Sequence, residues 1–299
     1  MQALYRFLIT ALLLFSGTYA FSNTTQGPAE RKYISGEHDR YRMTTDVVHN
    51  GKWQSTIIAV CELQVKKDSK GIPYDEVHWI SKKVITEKDT IDKSDEAKKV
   101  TPYRISLHPE GELNLPKLDI ADMTGEITDF NTFFVAISPK LGIGKLKKEG
   151  DTYIQKEPVK GDFANGKDIL LGNDCIAVTL TLTGNTNDNI LLQTLFMPPK
   201  DTCLHYLTDD LRQPVIADTI NNFQMVRSFA NNRVNVLYGR ENFVIKSTVR
   251  KKDGKLTQAN MTNNLVLKIR LACDDQYNNC QGTMPFTIYR TLQLERLKD

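Results

Sequence analysis

The stretch GDFANGKD, Gly161 to Asp168, carries the spacing G-x-x-x-x-G-K, the one pattern in the chain that could cradle a phosphate. A working phosphate loop needs a buried strand before it, a Ser or Thr hydroxyl for magnesium after the lysine, and a helix behind it. Asp168 stands at the hydroxyl position, and ILLGNDCIAVTL follows with a strand pattern. The stretch reads as a polar connection between strands.

The other candidates for chemistry reduce in the same way. In YDEVHWIS, strand alternation places Glu76 and His78 on one face, a pairing able to do acid/base work or simply to face water. Cys203 and His205 lie two residues apart, whereas a catalytic Cys and His are brought together from distant segments. No G-x-S-x-G occurs. GNTNDN, Gly184 to Asn189, repeats oxygen side chains, yet an EF-hand counted from Asn185 meets Ile190 and Phe196 where glycine and glutamate belong. It reads as a hairpin loop. Asp274 and Asp275 are neighbours in a polar loop and seldom share a face there. The five histidines and five cysteines show no metal-ligand spacing. The expectation is therefore a non-enzymatic protein with no catalytic residues, no cofactor and no metal.

Composition sets the compartment. MQALYRFLITALLLFSGTYAFSN runs from a cation through an apolar stretch to small residues, the order of a secretory signal peptide. Cleavage is expected after Ala20; the alternative, an uncleaved anchor, needs ~20 apolar residues where this run is shorter. Residues 1–20 then form a signal peptide, 21–30 a flexible tail, and 31–299 a single β-rich domain. The destination is the periplasm or the cell exterior. No later stretch is apolar enough for a span, so an integral membrane protein is not expected. A net charge of +3, falling to +2 without Arg6, gives no electrostatic reason to expect nucleic acid.

In an oxidising compartment cysteines pair. CDDQYNNC joins Cys273 to Cys280 across a short polar loop, and Cys175 with Cys203 is the second expected bridge. Cys61, in STIIAVCELQV, reads as a buried strand thiol. Two glycosylation sequons stand at Asn23 and Asn260.

The elements that hold these residues are mostly strands. Ile176, Val178, Leu180 and Leu182 alternate with Ala177, Thr179 and Thr181; Leu265, Leu267, Ile269 and Leu271 alternate with Lys268 and Arg270. In PFTIYRTLQLERL, Phe286, Ile288, Leu292 and Leu294 share one face, and Arg290 interrupts it. One buried and one wet face favour antiparallel sheet. Asn50-Gly51 and Asp253-Gly254 are hairpin signals, because those residues accept the positive φ of primed turns. HPEG, His108 to Gly111, is a softer turn. The run Glu87 to Lys99 alternates acids and bases, as a solvated loop or short exposed helix does.

One segment departs from period two. Ile127, Phe130, Phe134, Ile137 and Leu141 fall at helical spacing, and Ser138-Pro139 with Gly142 mark its end. The spacing predicts one amphipathic helix over about 124–138, packed on the concave side of a large curved antiparallel sheet or incomplete barrel. A weaker helix is read in DTINNFQMVRSF, Asp218 to Phe229.

Taken in order, DRYRMTTDVVHNGKWQSTIIAVCELQVKK, the strand–PEG–strand unit, DFNTFFVAISP and VRKKDGKLTQANMTNNLVLKIRL resemble secreted bacterial β-proteins of uncharacterised role. The element order is similar to the incomplete barrel of periplasmic lipoprotein carriers. The added cysteines and the missing lipid-anchor cysteine depart from those carriers. The resemblance implies a curved sheet with a helix across its hollow, and a lipid or other apolar small molecule as partner. Phe130, Phe133, Phe134, Ile137 and Leu141 are the candidate lining, or else plain core. The alternative function is a structural or protein-interaction module of the cell envelope.

Overall fold

At Asn50 and Gly51 the backbone turns with φ of 47° and 78°, and the flanking segments run back as an antiparallel hairpin. That turn is one link in the computed structural model, which describes residues 29–111, 113, 120–155, 163–165, 168–170, 178–197, 223–228 and 231–298. The expected Cys175–Cys203 bridge, His205, the signal peptide and residues 21–28 of the tail lie outside the described residues. So do Gly161, Asp162, Gly166 and Lys167 of GDFANGKD.

Among the described residues fourteen strands form one antiparallel sheet. The first group is β1 (His38–His49), β2 (Lys52–Lys67), β3 (Pro73–Ile85), β4 (Thr90–Asp92) and β5 (Tyr103–Ile105), with a short helix α1 (Ser94–Lys98) after β4. Helix α2 (Thr124–Val135) follows, and then β6 (Thr152–Gln155), β7 (Phe163–Asn165), β8 (Asp168–Leu170), β9 (Val178–Asn185) and β10 (Asn189–Phe196). The chain closes with β11 (Phe223–Ser228), β12 (Val234–Arg250), β13 (Leu256–Cys273) and β14 (Gly282–Leu297). Spatial order is β4-β3-β2-β1-β14-β13-β12-β10-β9-β6, so the first strand pairs with the last and the sheet stays open.

The curvature follows from what α2 touches. Phe130 packs edge-on against Trp79 of β3 at 5.5 Å, while the carbonyl of Ala136, at the end of the same helix, accepts a hydrogen bond from Thr194 of β10 at 3.2 Å. On a flat sheet β3 and β10 would stand about 29 Å apart, more than twice the ~10–12 Å width of a helix. The sheet therefore wraps round α2, as an incomplete barrel. Phe130, Phe133, Phe134 and Ile137 join Met43, Ala59, Leu180, Ile190, Ile245 and Leu294 in one buried cluster. Ser138 caps the 3-10 turn that follows, Pro139–Leu141, by accepting from the Lys140 N–H, and Gly142 leaves it with φ of 88°.

Two sequence expectations are corrected. Residues 223–228 are strand β11, not helix: Phe223 and Met225 face one side, Val226 the other, and Met225 and Val226 belong to separate buried clusters. Apolar residues on both faces of a short strand break the period-two signal. The β12–β13 hairpin forms at Asp253-Gly254 as expected, but through a connection longer than a two-residue primed turn. Gly254 alone has positive φ, 67°, while Asp253 folds back to pair with Arg250 at 2.5 Å. Cys273 and Cys280 are bridged across the β13–β14 turn, and Cys61 is a buried free thiol pushed well above its usual pKa by burial. Among the described residues no helix is long and apolar enough to cross a membrane.

Candidate functional site

Strand β14 is the ruler of the concave face. Its alternate residues Arg296, Leu294, Leu292, Arg290, Ile288 and Phe286 all point to the helix side, because side chains two apart in a strand share a face and Arg290 reaches α2. They mark four successive bands.

The first band is ionic. Residues 31–37 cross this end of the sheet, with the Lys32 N–H bonded to the Asp253 carbonyl at 2.8 Å. Arg31 meets Asp75 at 3.1 Å; Lys255, 2% exposed, meets Glu37 at 2.5 Å and Asp39 at 2.6 Å; Arg296 also pairs with Asp39. Three cations balance three acids, as burial of charge demands. Burial pushes the Asp75 carboxyl up to about 6, against the pull of Arg31. Tyr41 donates to the Leu256 carbonyl at 2.8 Å and closes this end.

The second band is the helix-filled core. Here the predicted lining residues are found: Phe130 and Phe133 are fully buried, and Phe134, Ile137 and Leu141 nearly so. Phe130 and Phe134 meet at a tilt with ring centres 5.0 Å apart, and both meet Tyr41 edge-on. Leu141 sits apart from the rest, with Val178 and Phe196.

The third band is a polar belt. Lys82 of β3 pairs with Glu126 of α2 at 2.8 Å. One turn on, Asp129 accepts from Arg290 at 2.8 Å; Arg290 also donates to Asn263 of β13 at 2.9 Å, and Asn263 donates to Glu241 of β12 at 2.7 Å. The belt crosses from β3 through the helix to β12. Burial raises the Asp129 carboxyl to about 6 and the Glu241 carboxyl above its ordinary range, in each case against the pull of Arg290.

Beyond the belt lies an apolar trough. Cross-strand register puts Leu265 opposite Ile288, Leu267 opposite Phe286, and Leu237 opposite Ile269 on the concave face. Leu237, Leu265 and Leu267 are buried and Ile269, Phe286 and Ile288 half-buried, in a cluster to which no α2 residue belongs. Gly239 forms part of its floor with φ of 152°; a Cβ there would stand 2.3 Å from the Val266 carbonyl oxygen. His49 of β1 lies beside Phe286 at 5.2 Å, its pKa lowered by burial and by Arg227.

No family model matches the chain, and no curated protein matches it. Among solved structures it is similar to a chain described as showing lipid–protein interactions in lipovitellin, with a TM-score of 0.40 and 9% identity. That likeness covers 89% of this chain, which spans 26% of the lipovitellin chain. A second is the complex of MucA and MucB from Pseudomonas aeruginosa, with a TM-score of 0.14 and 11% identity over 88% of this chain and 89% of that one. Neither score reaches the level at which two chains share a fold.

The remaining sequence candidates fall elsewhere. Glu76 and His78 meet at 2.7 Å on the outer face of β3, where Lys66 also pairs with Glu76. They are partly exposed and join no concave group, as side chains of a solvated sheet face do. Asp274 bonds the backbone and side chain of its own loop, to Asn278 and Asn279. Among the described residues no group of three or more His, Cys, Asp or Glu could hold a metal. Sequence reasoning noticed Arg290 as a break in an apolar face but missed Asn263 and Glu241. The signal was there: each occupies an inward position in the same register as Arg290 or Leu265.

Proposed function

We propose that the protein is a non-enzymatic binding or carrier protein of the periplasm or cell exterior, taking a lipid or other apolar ligand. The ligand site is the trough beyond the polar belt, and not the helix face, whose aromatic side chains are already engaged with one another. The observation that carries this reading is the half-buried row Ile269, Phe286 and Ile288, an inward apolar surface outside the helix-filled core. Concave apolar surface with a few placed polar groups is the usual form of a small-molecule site. The Cys273–Cys280 bridge fits an oxidising compartment.

Native mass spectrometry of protein purified without detergent from its secretory compartment tests this. A reproducible extra mass of lipid size, lost in Ile288→Glu, supports the carrier; a bare polypeptide mass in both sinks it. A second reading, a protein-interaction module, draws on Val266 and Tyr289, both exposed and diagonal neighbours on the outer face. Retention of a protein partner that Tyr289→Ala abolishes would favour it.

A further inference from the structure

At the trough end, the outer face of the sheet carries aromatic and basic side chains together. Register places Tyr289 of β14 opposite Val48 of β1, and Val48 opposite Trp53 of β2, so the three form one outward row. Trp53 is 36% exposed, Tyr289 44%, and the diagonal neighbour Val266 55%. The following rows hold Arg240 opposite Val266 and Lys268 opposite Pro285, both cations exposed, and then Arg270, over the Tyr238 ring at 5.7 Å. Among the described residues no carboxylate stands on these rows. The nearest acids lie at the borders. Asp46, in the next row toward the ionic end, accepts from Thr56. Glu87 lines a cleft with Trp53, Lys52 and Lys88, and Asp89 follows in the same turn. Asp274 is bonded within its own loop, with Asp275 beside it.

Trp and Tyr join an apolar ring to a polar N–H or O–H, the form favoured where hydrocarbon meets water, and each Lys or Arg near an anionic bilayer adds attraction. Exposed rings edged by cations and clear of acids complement a surface that offers apolar depth beneath negative phosphates. The location agrees. Ile288 and Phe286, which line the trough, alternate along β14 with Tyr289 and Thr287 of this face, and the row of the trough ends at the exposed Met284, at the same end of the sheet. We infer that this face docks on an anionic phospholipid bilayer, with Trp53 and Tyr289 at headgroup level and Arg240, Lys268 and Arg270 against lipid phosphates. The inference rests on the carrier reading and adds the surface at which the ligand is exchanged.

The test mixes protein purified from its secretory compartment with vesicles of phosphatidylcholine, alone or with about one third phosphatidylglycerol. Co-sedimentation should be at least about tenfold tighter with the mixed vesicles, and that preference should vanish near 1 M salt, where screening acts within about 3 Å. Arg240→Gln with Lys268→Gln, both at exposed positions, should weaken binding to mixed vesicles about thirtyfold, or ~2 kcal/mol. The chain has two tryptophans, and Trp79 is 4% exposed, so quenching by bromine-labelled lipid reports on Trp53. Equal binding to both vesicles, full binding by the double variant, or unquenched emission overturns the inference. No vesicle binding, with circular dichroism showing folded protein, overturns it too, whether the face then holds a second copy, lost in Val266→Glu, or a protein partner, lost in Tyr289→Ala. Vesicle binding is read without cargo. Its failure beside a lipid mass that persists in native mass spectrometry overturns the docking face and leaves the carrier reading standing.

Discussion

Arg290 on the last strand and Asp129 on the helix meet at 2.8 Å, and this contact fixes where the filled half of the hollow ends. On one side lie Leu292 and Leu294 in the helix-packed core; on the other, Ile288 and Phe286 in the trough. Replacing Arg290 by Met leaves Asp129 without its cation in a largely dry setting. We expect a loss of about 3 kcal/mol in urea unfolding, the usual result of breaking a buried pair from one side. Arg290→Lys should recover part of it.

The buried acids set an unusual pH response. Asp75 and Asp129 both titrate at about 6 when folded, above the free carboxyl. The folded state thus holds their protons more tightly than the unfolded chain, so their contribution is full at low pH and is lost as pH rises through about 6. Tm should rise by ~3 °C from pH 7 to pH 5. The double variant Asp75→Asn, Asp129→Asn should flatten that rise. Glu62 behaves oppositely: hydrogen bonding from Arg40 holds it below its ordinary range, and such groups withdraw support below about pH 4.

Phe134 distinguishes core from cavity wall. Its ring meets Tyr41 at 5.7 Å and Phe130 at 5.0 Å. Phe134→Ala should cost about 3–5 kcal/mol while leaving the apolar ligand of the trough bound in the folded fraction. Chemical denaturation alongside lipid analysis of the folded protein measures both, and loss of ligand at unchanged stability would return the site to the helix.

How much of this was legible in the sequence depends on range. Asn50-Gly51 announces its hairpin because the φ requirement is local, and Cys273 finds Cys280 because the loop is short. The helix shows at Phe130 and Phe134 because one side of it is continuously covered. What lay hidden depends on register between strands. Asn263 and Glu241 look like ordinary polar residues until β12, β13 and β14 are aligned, and β11 looked helical because both its faces are covered. Arg290 was visible as an interruption, but its partner Asp129 lies on α2, more than a hundred residues earlier.

Gly254 tests the N-terminal crossing. A Cβ there would stand 2.3 Å from the Glu30 carbonyl oxygen and 2.5 Å from the Arg31 nitrogen, at a positive φ. Gly254→Ala should cost about 2 kcal/mol and raise hydrogen exchange in residues 30–37 before any other segment. Uniform exchange across the sheet would contradict that order.

The Cys273–Cys280 bridge closes a loop with a sequence separation of 7. Loop entropy of that size is worth about 2.5 kcal/mol. The double serine variant should lose roughly that amount in guanidinium unfolding.

Strand β1 pairs with β14 from Arg40 opposite Leu297 to His49 opposite Ile288. The hairpins β1–β2–β3 and β12–β13–β14 can each assemble from near neighbours, but the seam between them joins the two most distant parts of the chain. Contacts of such separation make folding slow. A ribosome releasing this chain from its N-terminus cannot complete the sheet until β14 has emerged, so the polypeptide travels as an unsealed precursor for as long as its synthesis lasts. The same seam brings Arg40 and Leu297 side by side, so a short linker could join them and new ends be opened at the Asn50-Gly51 turn, giving a permuted chain in which β1 follows β14 directly.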